Sequence, residues 1–190
     1  PSYVAQDAEL NRIGAIPLDF LLPLETLSPE QLLERQRTGA IVLDTRSAIQ
    51  FGSGHVPGAI NIPLTGQFAG SAGTLIKLDS DIILVAEDQA SVEESRMRLA
   101  RVGFESVGGY LEGGMLRWAE ENRPAAQIMQ ISAGELSREL AEDPGSIQIV
   151  DVRRKPEWDQ SHIAGALHKP LDKIAGMLGD LDPAKPVVVH

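Results

Sequence analysis

The chain has no cysteine in its 190 residues. Within these residues that excludes disulfides, cysteine–metal sites and any thiol nucleophile. Positive charge is also in deficit, with 17 Lys and Arg against 27 Asp and Glu and a net charge of −10. The acidic excess is spread along the sequence rather than held in a tail. It would repel a polyanion, so nucleic acid is not an expected partner. No apolar run approaches the roughly 20 residues that span a bilayer, and no membrane partner is expected. The opening stretch from Pro1 to Leu10 lacks a basic region followed by an apolar core and does not read as a signal peptide. It also lacks an initiator methionine, so these residues are expected to be a stretch of a longer chain, located in a reducing cytoplasm. Two glycine pairs, Gly108-Gly109 and Gly113-Gly114, lack the Gly-Lys-Ser/Thr ending of a phosphate loop and are read as tight turns.

What is present is ordinary in bulk and unusual in order. Hydrophobic residues make up 43% and charged residues 23%, as in a typical globular protein. The length suits one or two domains of about 100–200 residues each. Residues 42–64 and 149–171 then align without a gap. Asp44, Arg46, His55, Gly58, Ala59, Pro63 and Leu64 meet Asp151, Arg153, His162, Gly165, Ala166, Pro170 and Leu171, an offset of 107 positions. Uncommon residue types at fixed spacing mark an internal repeat.

The flanks repeat as well. Ser28, Pro29 and Gln31 have the pattern of an N-cap, a first helical position and a capping box, with Gly39 as the stop. Ser132 and Glu135 form the same box before the second copy. Each helix leads into a short apolar strand, Ile41 to Leu43 and Ile147 to Val150. The second connection is longer by the turn Glu142-Asp143-Pro144-Gly145-Ser146. After the first copy, Ile82 to Ala86 is a continuous apolar run, as in a parallel strand buried on both faces. The next helix is expected to be capped by Ser91, boxed by Glu94 and ended by Gly103, with Val92, Ser95, Leu99 and Val102 on one face. A short strand, a glycine turn and a last helix bearing Trp118 follow. Alternating strands and helices imply an α/β fold with a mainly parallel sheet. The polar stretch Glu121 to Gln127 reads as a connector.

Asp-x-Arg, the segment Gly54-His55-Val56-Pro57-Gly58-Ala59-Ile60-Asn61-Ile62-Pro63, the buried strand, and Tyr110-Leu111-Glu112-Gly113-Gly114-Met115-Leu116-Arg117-Trp118 together resemble the rhodanese-like domain. The resemblance implies a parallel sheet with helices on both faces, present in two tandem copies, the second incomplete in these residues. It divides the chain into an arm at 1–25, a first unit at 26–121, a linker at 122–130 and a second unit at 131–190. It also implies a sulfurtransferase acting on a small sulfur anion or a thiol persulfide, the alternative being a non-catalytic binding or regulatory module in which neither unit has a cysteine. In active members a cysteine opens the loop after the fourth strand, in the pattern Cys-x-x-Gly-x-Arg-Ser. A free thiol, with pKa about 8.5, needs such a loop of backbone N–H groups to be held as the anion.

In the first unit Glu87 stands at the cysteine position, Ala90 at the glycine and Val92 at the arginine. That unit is expected to be inactive, its acidic loop being a helix start favoured by the macrodipole. For the second unit, matching residues 78–86 to residues 182–190 pairs Ala86 with His190. The cysteine is then expected directly after His190, and no catalytic residue lies in this chain. His55 and His162 are each alone, without a second ligand at metal spacing, and are expected to bond backbone in turns. Asp44, Arg46, Asp151 and Arg153 are expected to hold loops to the sheet, with Arg153, beside Arg154 and Lys155, also a candidate for binding a sulfur anion. No cofactor or metal is expected here. Within residues 1–25, the stretch Ala5 to Leu18 is similar to the connector of fusions between a metallo-β-lactamase-like domain and rhodanese units. It implies an upstream catalytic domain carrying iron or zinc.

Overall fold

The computed structural model describes residues 24–104 and 106–190. The chain separates into two compact units, with the division between Gln130 and Ile131.

The first unit is built on a parallel sheet of five strands: β1 (Glu25–Leu27), β2 (Ile41–Asp44), β3 (Ile60–Asn61), β4 (Ile82–Val85) and β5 (Val107–Leu111), in the order β1-β5-β4-β2-β3. The helices of this unit are α1 (Pro29–Arg37), α2 (Ala48–Ser53), α3 (Phe68–Leu75), α4 (Gln89–Ala100) and α5 (Gly114–Glu120). All four residues of β4 are buried, because both faces of the sheet are covered. Ile82 and Leu84 pack with Phe68 and Ala72 of α3 and with Val92 and Leu99 of α4. Ile83 and Val85 pack with Leu32 of α1 and Trp118 of α5. This is the physical content of the unbroken apolar run: a parallel strand with no solvent face. Each such side chain contributes about 1.5–3 kcal/mol by leaving water.

Local signals explain the helix ends. Ser28 accepts from the Gln31 N–H while Gln31 reaches back to the Ser28 N–H, and Gly39 takes φ +106° just past the helix. The N-cap of α4 differs from the expected Ser91. The helix begins at Gln89, and Asp88 accepts from the Ser91 N–H at 2.8 Å. A carboxylate three residues earlier outcompetes the serine, and Glu94 turns to Arg98 instead. The glycine pairs also part company. Gly113 and Gly114, at φ +65° and +55°, do make the turn into α5. Gly108 and Gly109 lie inside β5. A Cβ on Gly109 would sit 2.6 Å from the Glu25 carbonyl, and one on Gly108 would strike the Arg35 guanidinium, so these glycines permit close approach rather than a turn. Arg35 fills that space, donating to Asp81 at 2.6 and 2.7 Å, to Glu25 at 3.1 Å and to the Gly108 carbonyl at 3.1 Å.

The second unit carries α6 (Ala133–Glu142), β6 (Gln148–Asp151), α7 (Lys155–Gln160), β7 (Leu167–His168), a 3₁₀ turn at Ile174–Gly176 and β8 (Val187–Val189). Its strands are parallel in the order β7-β6-β8. They repeat β3-β2-β4 of the first unit. Ser132 and Glu135 form the capping box that opens α6.

The register corrects one expectation. In the first unit Ile41 faces Ile82, and in the second Gln148 faces Val187. Likewise the Thr45 N–H donates to the Val85 carbonyl, and the Val152 N–H to the His190 carbonyl. The strands therefore correspond at an offset of 105, not 104, and His190 is the counterpart of Val85 rather than Ala86. Three adjacent valines offer no landmark for choosing between neighbouring registers, and only backbone pairing resolves them.

Residues 124–130, read from the sequence as part of a linker, lie along the first unit. Ala126 and His55 exchange both backbone hydrogen bonds at 2.9 Å, and the Ile128 N–H donates to the Gly52 carbonyl at 3.0 Å. Gln127 donates to the Ser53 carbonyl and Gln130 to the Ala48 carbonyl. This strap needs the missing side chain of Gly52, where a Cβ would stand 2.8 Å from the Ile128 carbonyl oxygen. Gly52→Ala is therefore expected to destabilise the first unit by about 1–3 kcal/mol in denaturant unfolding, despite alanine's better helix propensity. Gly54→Ala, whose Cβ would meet only the Ala125 side chain at 3.8 Å, is expected to be near neutral.

Candidate functional site

Ligands of parallel α/β sheets bind outside the carboxyl ends of the strands. At that edge of each unit a carboxylate closes the strand, and the same arrangement is built twice. Asp44 is fully buried. It accepts from the Arg46 N–H at 3.0 Å, from Arg46 Nε at 3.0 and 3.1 Å, and from Arg46 Nη2 at 2.6 Å. Arg46 Nη2 also donates to the Gly54 carbonyl at 2.9 Å. In the second unit Asp151, also fully buried, accepts from the Arg153 N–H at 2.9 Å, from Nε at 3.0 and 3.1 Å and from Nη2 at 2.6 Å, while Nη2 donates to the Ser161 carbonyl at 2.8 Å. A two-residue spacing lets the arginine fold back over the strand end in a bidentate pair, and its remaining donor ties down the helix that follows.

The electrostatics follow from that contact. The Arg153 hydrogen bonds hold the Asp151 carboxyl down at about 2, with burial opposing them. The same bonds to Asp151 raise the Arg153 guanidinium above its ordinary value. Each aspartate is paired inside the protein with its own arginine, Asp44 with Arg46 and Asp151 with Arg153.

The two histidines also occupy matched places. A carbonyl can only accept, so the His55 proton sits on Nδ1, 2.8 Å from the Phe51 carbonyl. The ring stacks on Phe51 at 3.7 Å. His162 does the same with the Trp158 carbonyl at 3.0 Å and stacks on the Trp158 ring at 3.8 Å. His55 is buried beneath the strap, whereas His162 is exposed.

Sequence reasoning missed a further pair. Asn61 at the end of β3 donates to the carbonyls of Asp44 and Arg46 at 2.9 and 3.0 Å. Its counterpart is His168, whose Nε2 lies 2.9 Å from the Arg153 carbonyl and whose ring stacks at 4.7 Å with Trp158. The signal was present in the repeat, where Asn61 and His168 align at the common offset, but the two side chains differ enough to hide a shared task.

The loop after β4 holds Glu87, exposed, and Asp88, whose carboxylate accepts from the Ser91 N–H in the first turn of α4. The hydrogen bond from the Ser91 backbone lowers the Asp88 pKa. The loop therefore carries its own anion and no sulfur nucleophile. In the second unit the three neighbouring cations are engaged: Arg153 with Asp151, Arg154 with Glu157 at 3.4 Å, and Lys155 with Asp159. Arg153 is held between the Asp151 carboxylate and the Ser161 carbonyl, with 27% of its side chain exposed. Among the described residues no group of three or more His, Asp or Glu side chains is arranged to hold a metal ion, and no helix is long and apolar enough to cross a membrane. The stretch Ala5 to Leu18, on which the resemblance to a metallo-β-lactamase fusion rests, lies outside the described residues.

Because Asp151 titrates lower in the folded state than the ordinary value of about 3.9, it stabilises the fold above that value. The contribution is lost as pH falls from about 4 to about 2. Urea unfolding at stepped pH is expected to show a steeper loss of stability in this window for the wild type than for Asp151→Asn. At neutral pH Arg153→Met, which strands a buried carboxylate, is expected to cost about 3–5 kcal/mol.

Comparison with known proteins gives the geometry a context. An HTH-type transcriptional regulator of Mycobacterium tuberculosis is 29% identical over 137 residues, 70% of this chain and 58% of its own length. An uncharacterized protein of Buchnera aphidicola is 36% identical over 86 residues, 45% of this chain and 59% of its own length. The chain thus spans less than two thirds of the curated relatives it matches. Among solved structures, a rhodanese-like domain from Anabaena aligns with 21% identity and a TM-score of 0.46, covering 57% of this chain and 86% of that one. A thiosulfate sulfurtransferase from Pseudomonas aeruginosa aligns with 18% identity and a TM-score of 0.48, covering 88% of this chain and 36% of that one. The rhodanese-like domain model matches residues 28–121 and again residues 132–190, and the chain belongs to the rhodanese-like domain family.

Proposed function

We propose that this chain is part of a sulfurtransferase in which the second unit carries the chemistry and the first is a non-catalytic partner. The observation that supports this most directly is the second unit's intact frame. Its Asp151–Arg153 clamp repeats the Asp44–Arg46 clamp bond for bond, and its strand order β7-β6-β8 repeats β3-β2-β4. In the first unit the loop position that family members give to cysteine is Glu87, two residues after Val85. Since His190 matches Val85, the corresponding position of the second unit falls two residues beyond His190. A cysteine there, as thiolate, would attack the outer sulfur of thiosulfate. The sulfur–sulfur bond breaks, sulfite leaves with the electron pair, and a persulfide forms. An acceptor thiolate or cyanide then takes the outer sulfur and returns the thiolate.

The Mycobacterium relative, named as a transcriptional regulator, favours a second reading, in which both units are binding or regulatory modules. One residue separates the two. The whole protein is expected to transfer sulfur from thiosulfate to cyanide, and replacing the residue two positions after His190 by serine is expected to lower the rate by at least about 10³-fold, since the covalent step is lost. The 190 residues alone are expected to be inactive, having no thiol. Sulfur transfer by these residues would overturn the assignment, and a residue other than cysteine at the loop position would leave the regulatory reading.

A further inference from the structure

We propose that Lys169 and Asp180 form a latch that holds residues 171–182 as one releasable segment beside the strand ends of the second unit. The repeat supplies the comparison. Lys169 aligns with Ile62, which lies in the first unit's core with Phe68 and Ala72 of α3. In that unit the segment after β3 is anchored by apolar side chains: Phe68, Ala72 and Ile76 are all buried. The second unit keeps the core position and changes its chemistry. The Lys169 side chain is only 3% exposed, and its ammonium donates to the Met177 carbonyl at 2.6 Å and to the Asp180 carboxylate, which is 71% exposed.

The rest of the segment has little else to hold it. From Leu171 to Pro186 none of the described side chains is buried, and the helix α3 is replaced by the single 3₁₀ turn at Ile174–Gly176. The ends are fixed. The Leu171 N–H donates to the Val152 carbonyl, and Gln148 binds Asp182 through both its amide oxygen and its amide nitrogen. Between these fastenings the chain is tied by one buried ammonium. A segment with few buried apolar contacts opens at low cost, and here the opening is governed by one ion pair. The segment leaves β7 at its carboxyl end and is fastened at Asp182 to Gln148, the first residue of β6, so the latch governs the crossing from one edge of the sheet to the other.

Hydrogen exchange on the full chain tests this. Asp180→Ala and Lys169→Met are each expected to speed exchange of the amides of residues 172–179 by about tenfold, leaving Ile149 and Val150 of β6 unchanged. The double variant is expected to match Lys169→Met, because without the ammonium Asp180 has no part in the latch. Asp172→Ala, at an exposed acid outside the latch, is expected to have no effect. The latch is overturned if the segment exchanges at the wild-type rate in Asp180→Ala, if β6 speeds up equally, or if the two single effects add.

Discussion

A carboxylate with no exposure to water is the constraint on which each unit's strand edge depends. Taking an aspartate out of solvent costs several kcal/mol unless a cation and further hydrogen bonds replace the water. Asp44 and Asp151 meet that demand with an arginine two residues away and with that arginine's own backbone N–H. The arginine is thereby fixed, and its last donor fixes the carbonyl at the end of the following helix. Strand, loop and helix thus become one object whose geometry is set by charge pairing rather than by the apolar core beneath.

The same economy of parts bears on the first unit, proposed here as a non-catalytic partner. Its central strand is buried on both faces and its helices are capped, yet the loop above that strand ends in acids. Asp88 provides to the helix start the negative charge that the positive end of a helix favours. An anion supplied by the chain itself lowers the need for one from outside.

Much of this architecture was legible in the sequence, for definite reasons. The Ser28–Gln31 and Ser132–Glu135 boxes announce helix starts because their chemistry is local. The run Ile82 to Val85 announces a two-sided strand because burial demands unbroken apolarity. The Asp-x-Arg repeat announces two units because spacing survives where identity fades. What stayed hidden depends on distant partners. The helix Phe68–Leu75 contains two glycines and no side-chain cap, so its local propensity is poor, and only Phe68 and Ala72 in the core hold it. Gly108 and Gly109 resemble a turn until Arg35 and Glu25 are seen occupying the space beside them. The registry of Val187 to Val189 is set by β6, not by the valines. The site was legible as a frame: its aspartates, arginines and histidines were found, whereas the roles of Asn61 and His168 required seeing whose carbonyls they reach.

The strap over Gly52 has a consequence for how two look-alike units share one chain. Tandem copies risk exchanging equivalent pieces during folding. The counterpart of Gly52 at the common offset is Asp159, which has a Cβ and a carboxylate that pairs with Lys155. Pro124 to Gln130 seats on the first copy in the space that Gly52 leaves open. A single absent side chain thus sets apart two copies that the repeat otherwise makes alike.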